Sequence, residues 1–138
     1  MATPKRTTSA TGDGGRSPQE SSRLLLVEDD DLVAAGLTTL LELEGFTVLT
    51  IGRGLAVVDS IRSFKPHAVI LDLTLPDVDG IEVFQRLHSR WPDLPVVFST
   101  GDGRSVNLTA ELNSKRVEVL RKPYEIKELL NALRRVTE

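Results

Sequence analysis

The sequence predicts an α/β domain with five strands in one parallel sheet and helices packed on both faces. Two observations carry this. Five short apolar or β-branched runs recur, at Leu24–Val27, Phe46–Ile51, Ala68–Leu71, Pro95–Ser99 and Val117–Leu120. Runs of that length suit strands buried on both faces. Between them lie segments of helical spacing, and strand–helix alternation implies a parallel sheet covered on each side. Right-handed crossovers leave few topologies, and the common order for five strands is 2-1-3-4-5.

Taken in order, residues 1–22 come first. They are rich in Thr, Ser and Gly with almost no large apolar side chain. Such a segment cannot offset the entropy of its own ordering, and a flexible tail is expected. The domain proper is expected over 23–138. After the first strand, Val33, Leu37, Leu40 and Leu41 recur at helix spacing. Val57, Ile61 and Phe64 do so after the second, and Phe84, Leu87 and Trp91 after the third. Between Thr100 and Val117 only Leu108 and Leu112 keep the period, with Val106 nearby, so a helix there is short or loose. Ile126, Leu129, Leu130 and Leu133 give the cleanest stripe, in the last helix.

The totals exclude several classes. At 138 residues the chain can bury one real core. A net charge of -3 gives no general attraction for nucleic acid or an anionic membrane. There is no cysteine, hence no disulfide framework and no thiolate metal site. No apolar stretch approaches the roughly 20 residues of a membrane span, and no signal peptide is evident, so a cytoplasmic location is expected.

The strand ends carry the chemistry. Glu28, Asp29 and Asp30 follow strand 1, Asp72 ends strand 3, Thr100 follows strand 4, and Lys122 follows strand 5. In the 2-1-3-4-5 order strands 1 and 3 are neighbours, and ligands bind beyond the C-terminal strand ends at that point. Glu28, Asp29 and Asp72 should therefore converge. Clustered carboxylates stay ionised only beside a cation. Oxygen donors without His or Cys suit a hard ion, and Mg²⁺ typically takes one or two carboxylates and leaves room for phosphate oxygens. A Lys and a hydroxyl opposite such carboxylates suit the stabilisation of a phosphoryl group in transfer. Each residue also has a plainer reading. Asp29 or Asp30 can cap the first helix, Asp72 can be a loop carboxylate, Thr100 can end a strand, and Lys122 can be solvated. Together, at the right strand ends and in the right order, they favour a site. His67 and His88 show no partner pattern, and "GDG" at Gly101–Gly103 lacks the Lys-Ser/Thr of a phosphate loop.

At these residues the sequence resembles the receiver domain of two-component response regulators. "LLLVEDD" resembles the acidic pair, "ILDLTLPDVDG" the phosphoacceptor loop, Ser99–Thr100 the switch hydroxyl position, and "RKPY" the Lys-Pro signature. The resemblance covers about 23–138 and implies a flavodoxin-like fold. It also implies phosphorylation of Asp72 by a histidine kinase or histidine phosphotransfer protein. Mg²⁺ would be held by Glu28, Asp29, Asp72 and the Thr74 carbonyl, with Thr100 and Lys122 on the phosphoryl oxygens. It further implies a cis Lys122–Pro123 peptide, and a phosphoaccepting signalling domain rather than an enzyme. Receivers often carry an aromatic switch residue where this chain has Val119, and often Ala where it has Gly101. "FSTG" is similar to a subgroup with a loosely ordered fourth helix, so Gly101–Ser114 is expected to be mobile at rest and to order on phosphorylation. With the last stripe running nearly to Glu138, a single-domain receiver, or one cut from a longer protein, is expected. Three alternatives stand beside this: a pseudo-receiver binding partners without phosphorylation, a haloacid-dehalogenase-like phosphatase, and a flavodoxin-like cofactor binder. The second wants an Asp where Thr74 stands, and the third a Ser/Thr/Gly-rich loop where "EDDD" stands.

Overall fold

The computed structural model describes residues 22–101 and 116–138. The expected tail and the expected loose helix and mobile segment after Gly101 fall almost wholly outside the described residues. The strands are β1 (Arg23–Val27), β2 (Thr47–Ile51), β3 (Ala68–Asp72), β4 (Val96–Thr100) and β5 (Val117–Arg121). The helices are α1 (Asp31–Leu43), α2 (Val57–Phe64, preceded by a 3-10 turn at Gly54–Ala56), α3 (Gly80–Arg90) and α4 (Ile126–Thr137). All strand pairs are parallel, in the order β2-β1-β3-β4-β5.

Side chains alternate across the sheet. Leu25, Val27, Val69, Leu71, Val96 and Phe98 pack on one face against Val57 and Ile61 of α2 and Val83, Phe84 and Leu87 of α3. Phe84 meets Phe98 edge to face, with ring centroids 5.1 Å apart. Leu24, Leu26, Ala68, Ile70 and Val97 pack on the other face against Ala34 and Leu41 of α1 and Leu129, Ala132, Leu133 and Val136 of α4. Removing one such aromatic, Phe98→Ala for instance, would cost about 3–5 kcal/mol.

Two expectations need correction. Burial on both faces holds for β3, β4 and nearly all of β1, but β2 and β5 are edge strands with exposed positions. The first helix turns only part of the expected stripe inward: Leu41 is buried and Leu37 packs against the core beside buried Ala34, while Leu40 is 42 % and Val33 39 % exposed. α1 is apolar on more than one side, so spacing alone could not choose its inner face.

Helix starts are specified locally. Asp30 caps α1, accepting from the Leu32 and Val33 N–H groups, and Asp79 caps α3, accepting from the Ile81 N–H. Glu125 and Glu128 form a capping box at the start of α4. Gly80 is dictated by space, because a Cβ there would stand 2.6 Å from Leu73 Cα and 2.8 Å from the Asp72 carbonyl oxygen. α3 can therefore begin directly against the end of β3.

Candidate functional site

Parallel register sets the site. Val27 pairs with Leu71 and Asp72 with Ser99, so Glu28, Asp72 and Ser99 occupy one row across three adjacent strands. Alternation puts all three on the face that carries Leu26, Ile70 and Val97. Glu28, Asp72, Ser99 and Thr100 are buried polar residues.

Lys122 reaches into this row. Its Nζ donates to Glu28 Oε1 at 2.8 Å and to Asp72 Oδ2 at 3.0 Å. The other oxygens are also engaged: Asp72 Oδ1 accepts from the Thr74 N–H at 2.9 Å, and Glu28 Oε2 from the Asp30 N–H at 3.2 Å. The Lys122 N–H donates to the Thr100 carbonyl at 2.7 Å, which registers the β5 end against β4. Its stem runs beside Gly101, where a Cβ would lie 3.3 Å from Lys122 Cδ. The Lys122–Pro123 peptide is cis.

Burial pushes the Glu28 carboxyl above its usual range, a rise that the Lys122 and Asp30 hydrogen bonds only partly offset. Burial pulls the Lys122 ammonium down, but hydrogen bonds to Glu28 and Asp72, with their charges, outweigh it and leave the net shift upward. The carboxylates hold the lysine charged, and the lysine permits two buried carboxylates to coexist.

One carboxylate oxygen each from Glu28, Asp29 and Asp72 lie within 4.8 Å of one another. They open into a cleft of about 410 Å³, lined also by Thr74, Pro76, Gly101 and Lys122. Three carboxylates and no nitrogen or sulfur donor fit a hard divalent ion such as Mg²⁺. The block "EDDD" divides its work. Glu28 pairs with the lysine, Asp29 stays exposed at the cleft, Asp30 accepts from the Leu32 and Val33 N–H groups, and Asp31 begins α1. Helix capping is thus realised at Asp30, leaving Asp29 at the acidic cluster.

The sequence reading missed two residues. Asp77 accepts from the Gly54 and Leu55 N–H groups, both at 2.9 Å, and ties the loop after β3 to the start of α2. These bonds, the one from Leu55 foremost, hold its carboxyl below the usual range. Its partners lie over 20 residues away in sequence, so no local signal marked it. Tyr124 packs beside the site, where burial pushes its phenol upward while the charges of Lys122, Glu28 and Asp72 all reach it. Of the two histidines, His67 accepts from the Arg23 N–H at 2.8 Å and His88 stacks on Phe84.

Fold and rim together define a class: a doubly wound parallel sheet whose switch point holds clustered carboxylates bridged by a lysine. The chain belongs to the response regulator receiver domain family, whose profile matches residues 24–134. It is 34% identical over 114 residues to "Response regulator MprA" of Mycobacterium bovis, covering 83% of this chain and 50% of that one. It stands likewise at 34% to the protein of that name from Mycobacterium ulcerans, covering 83% and 49%. The chain thus spans about half the length of these curated relatives. Among solved structures, the BeF3-activated N-terminal receiver domain of Klebsiella pneumoniae RstA superposes with a TM-score of 0.75 at 26% identity, covering 84% of this chain and 99% of that one. A Clostridium thermocellum receiver domain gives 0.77 at 23% identity, covering 84% and 94%, a likeness of fold alone. The protein is therefore a response regulator receiver domain of two-component signalling. No described helix is long and apolar enough to cross a membrane.

Proposed function

We propose that Asp72 accepts a phosphoryl group from a phosphohistidine of a histidine kinase or histidine phosphotransfer protein, and that this changes binding to a protein partner. The observation that carries the reading is the placement of Asp72: buried, held at Oδ1 by the Thr74 N–H and at Oδ2 by Lys122, and opening on the acidic cleft. In the transfer a carboxylate oxygen of Asp72 forms the new bond to phosphorus. The phosphorus–nitrogen bond breaks, and its electron pair stays on the imidazole. Glu28, Asp29 and Asp72 would hold Mg²⁺, with Thr74 beside them, and the ion would supply positive charge for the transferring oxygens. Lys122, bonded to both Glu28 and Asp72, would follow the incoming charge, and Thr100 at the end of β4 would supply a hydroxyl. Preorganised positive charge and donors of this kind are what phosphoryl transfer needs. A pseudo-receiver loses acidic residues or the lysine, and this chain has both. The phosphatase reading lacks its second aspartate, since Thr74 stands there.

Incubation with Mg²⁺ and acetyl phosphate, followed by intact mass, tests the proposal. One phosphoryl group should be gained, and Asp72→Asn should gain none while keeping its fold. An Asp72→Asn variant that gains one phosphate at the same rate would refute the assignment.

A further inference from the structure

The two edges of the sheet differ. β5 carries Glu118 and Arg121, the kind of charge that keeps an edge from pairing. β2 reads Thr-Val-Leu-Thr-Ile, with no charge, no proline and no glycine. Its ladder to β1 uses alternate residues: the Thr47 N–H donates to the Ser22 carbonyl and the Ile51 carbonyl accepts from the Glu28 N–H, both at 2.9 Å. The N–H and carbonyl groups of Val48 and Thr50 therefore turn away from β1. Among the described residues no strand pairs with β2 on that side. An uncharged edge of this kind is a template for another strand.

We propose that this edge pairs with the same edge of a second copy of the chain, antiparallel about Leu49, so that two copies share one continuous sheet. The register is self-complementary. Val48 falls opposite the partner's Thr50 and Thr50 opposite the partner's Val48, and each such pair exchanges two backbone hydrogen bonds. Leu49 meets its own copy at the position between, where side chains of an antiparallel pair stand closest. The flanks match in charge. Glu44 precedes the strand and Arg53 follows it, both exposed, and antiparallel pairing brings the acidic end of one copy to the basic end of the other. The flanking helix leaves room. Thr38, whose hydroxyl lies 3.0 Å from that of Thr50, and Ala35 one turn before it are small, so two copies of α1 can lie side by side at a spacing of about 8–10 Å. The C-terminal strand ends of the two copies point in opposite directions, so both acidic clefts stay open.

Sedimentation of the full chain across a dilution series reaching millimolar protein should move from one chain toward two as concentration rises. Amide hydrogen exchange followed by NMR locates the contact. Val48 and Thr50 should be protected at high concentration and lose that protection on dilution, while Leu49 and Ile51, bonded to β1, stay protected throughout. Thr50→Pro removes an outward donor and leaves the ladder to β1 intact, so it should sediment as one chain at every concentration with the parent's circular dichroism. A parent chain that stays monomeric at millimolar concentration overturns the proposal. So does association that persists in a folded Thr50→Pro, which would place the contact elsewhere. Protection of Val48 and Thr50 that does not change on dilution also overturns it, because the edge would then be covered from within one chain. The exchange measurement uses the parent chain alone, so the proposal stays testable even if Thr50→Pro fails to fold.

Discussion

Replacing Lys122 with methionine isolates the cation, because the apolar stem beside Gly101 is largely kept. Two carboxylates lose their bridge, at Glu28 Oε1 (2.8 Å) and Asp72 Oδ2 (3.0 Å), and each is 4 % exposed. Breaking a buried pair by removing one partner costs about 3–5 kcal/mol. The lysine side chain is 27 % exposed, so water already screens part of the interaction, and about 3 kcal/mol is the expected loss. Urea denaturation in EDTA at neutral pH reads it. At a slope of roughly 2 kcal/mol per M, the midpoint should fall by roughly 1.5 M. The pH dependence has a definite sign. A carboxyl raised in the folded state destabilises that state above its folded pKa, and the penalty fades as falling pH protonates it. Glu28 is already raised by burial, and losing Lys122 raises it further. The gap between variant and parent should therefore close as pH falls through the carboxylate range. Mg²⁺ should bind the variant at least as tightly as the parent and restore more stability to it, because a competing cation has gone. A variant within about 0.5 kcal/mol of the parent in EDTA at neutral pH would refute the bridging role.

Asp30→Ala should lose about 1 kcal/mol of stability through its helix cap, with Mg²⁺ affinity little changed, by thermal denaturation and titration calorimetry. Asp29→Ala should show the reverse, much weaker Mg²⁺ binding at near-parental stability. Gly80→Ala should weaken Mg²⁺ binding and lower the melting temperature together, because its Cβ must displace the backbone of Leu73 and Asp72. Asp77→Ala should loosen the loop that carries Thr74 and reduce Mg²⁺ affinity. Asp77 has a lowered pKa, so its contribution is present above the unfolded value and lost as pH falls through the folded one; the parent-to-variant difference in urea midpoint should shrink accordingly.

The strand runs, their order and the convergence of Glu28, Asp29, Asp72 and Lys122 were all legible in the sequence. Each rests on a period or on a residue at a strand end, and parallel topology carries strand ends to one rim. The burial of α1 was legible only at Leu37 and Leu41. Val33, Leu37, Leu40 and Leu41 share a helical spacing with Leu32 and Leu43, and only packing against Leu24 and Leu26 selects Ala34 and Leu41 as the inner pair. Edge exposure of β2 and β5 follows from the order 2-1-3-4-5, which leaves each a neighbour on one side only; reading all five apolar runs as buried on both faces overlooked it. The Asp77 tie escaped for a related reason. It joins residues distant in sequence and repeats at no period.

The row formed by Glu28, Asp72 and Ser99 has one more consequence. The backbone separation of these residues is the strand-to-strand repeat of the sheet, about 4.8 Å, which exchanging their own side chains does not set. The site borrows its ruler from the hydrogen-bonded backbone. It therefore cannot soften by degrees on warming while the sheet remains intact. Loss of the acidic cluster and melting of the central strands should be one thermal event, and a calorimetric scan with bound Mg²⁺ should show a single peak, moved as a whole by the ion.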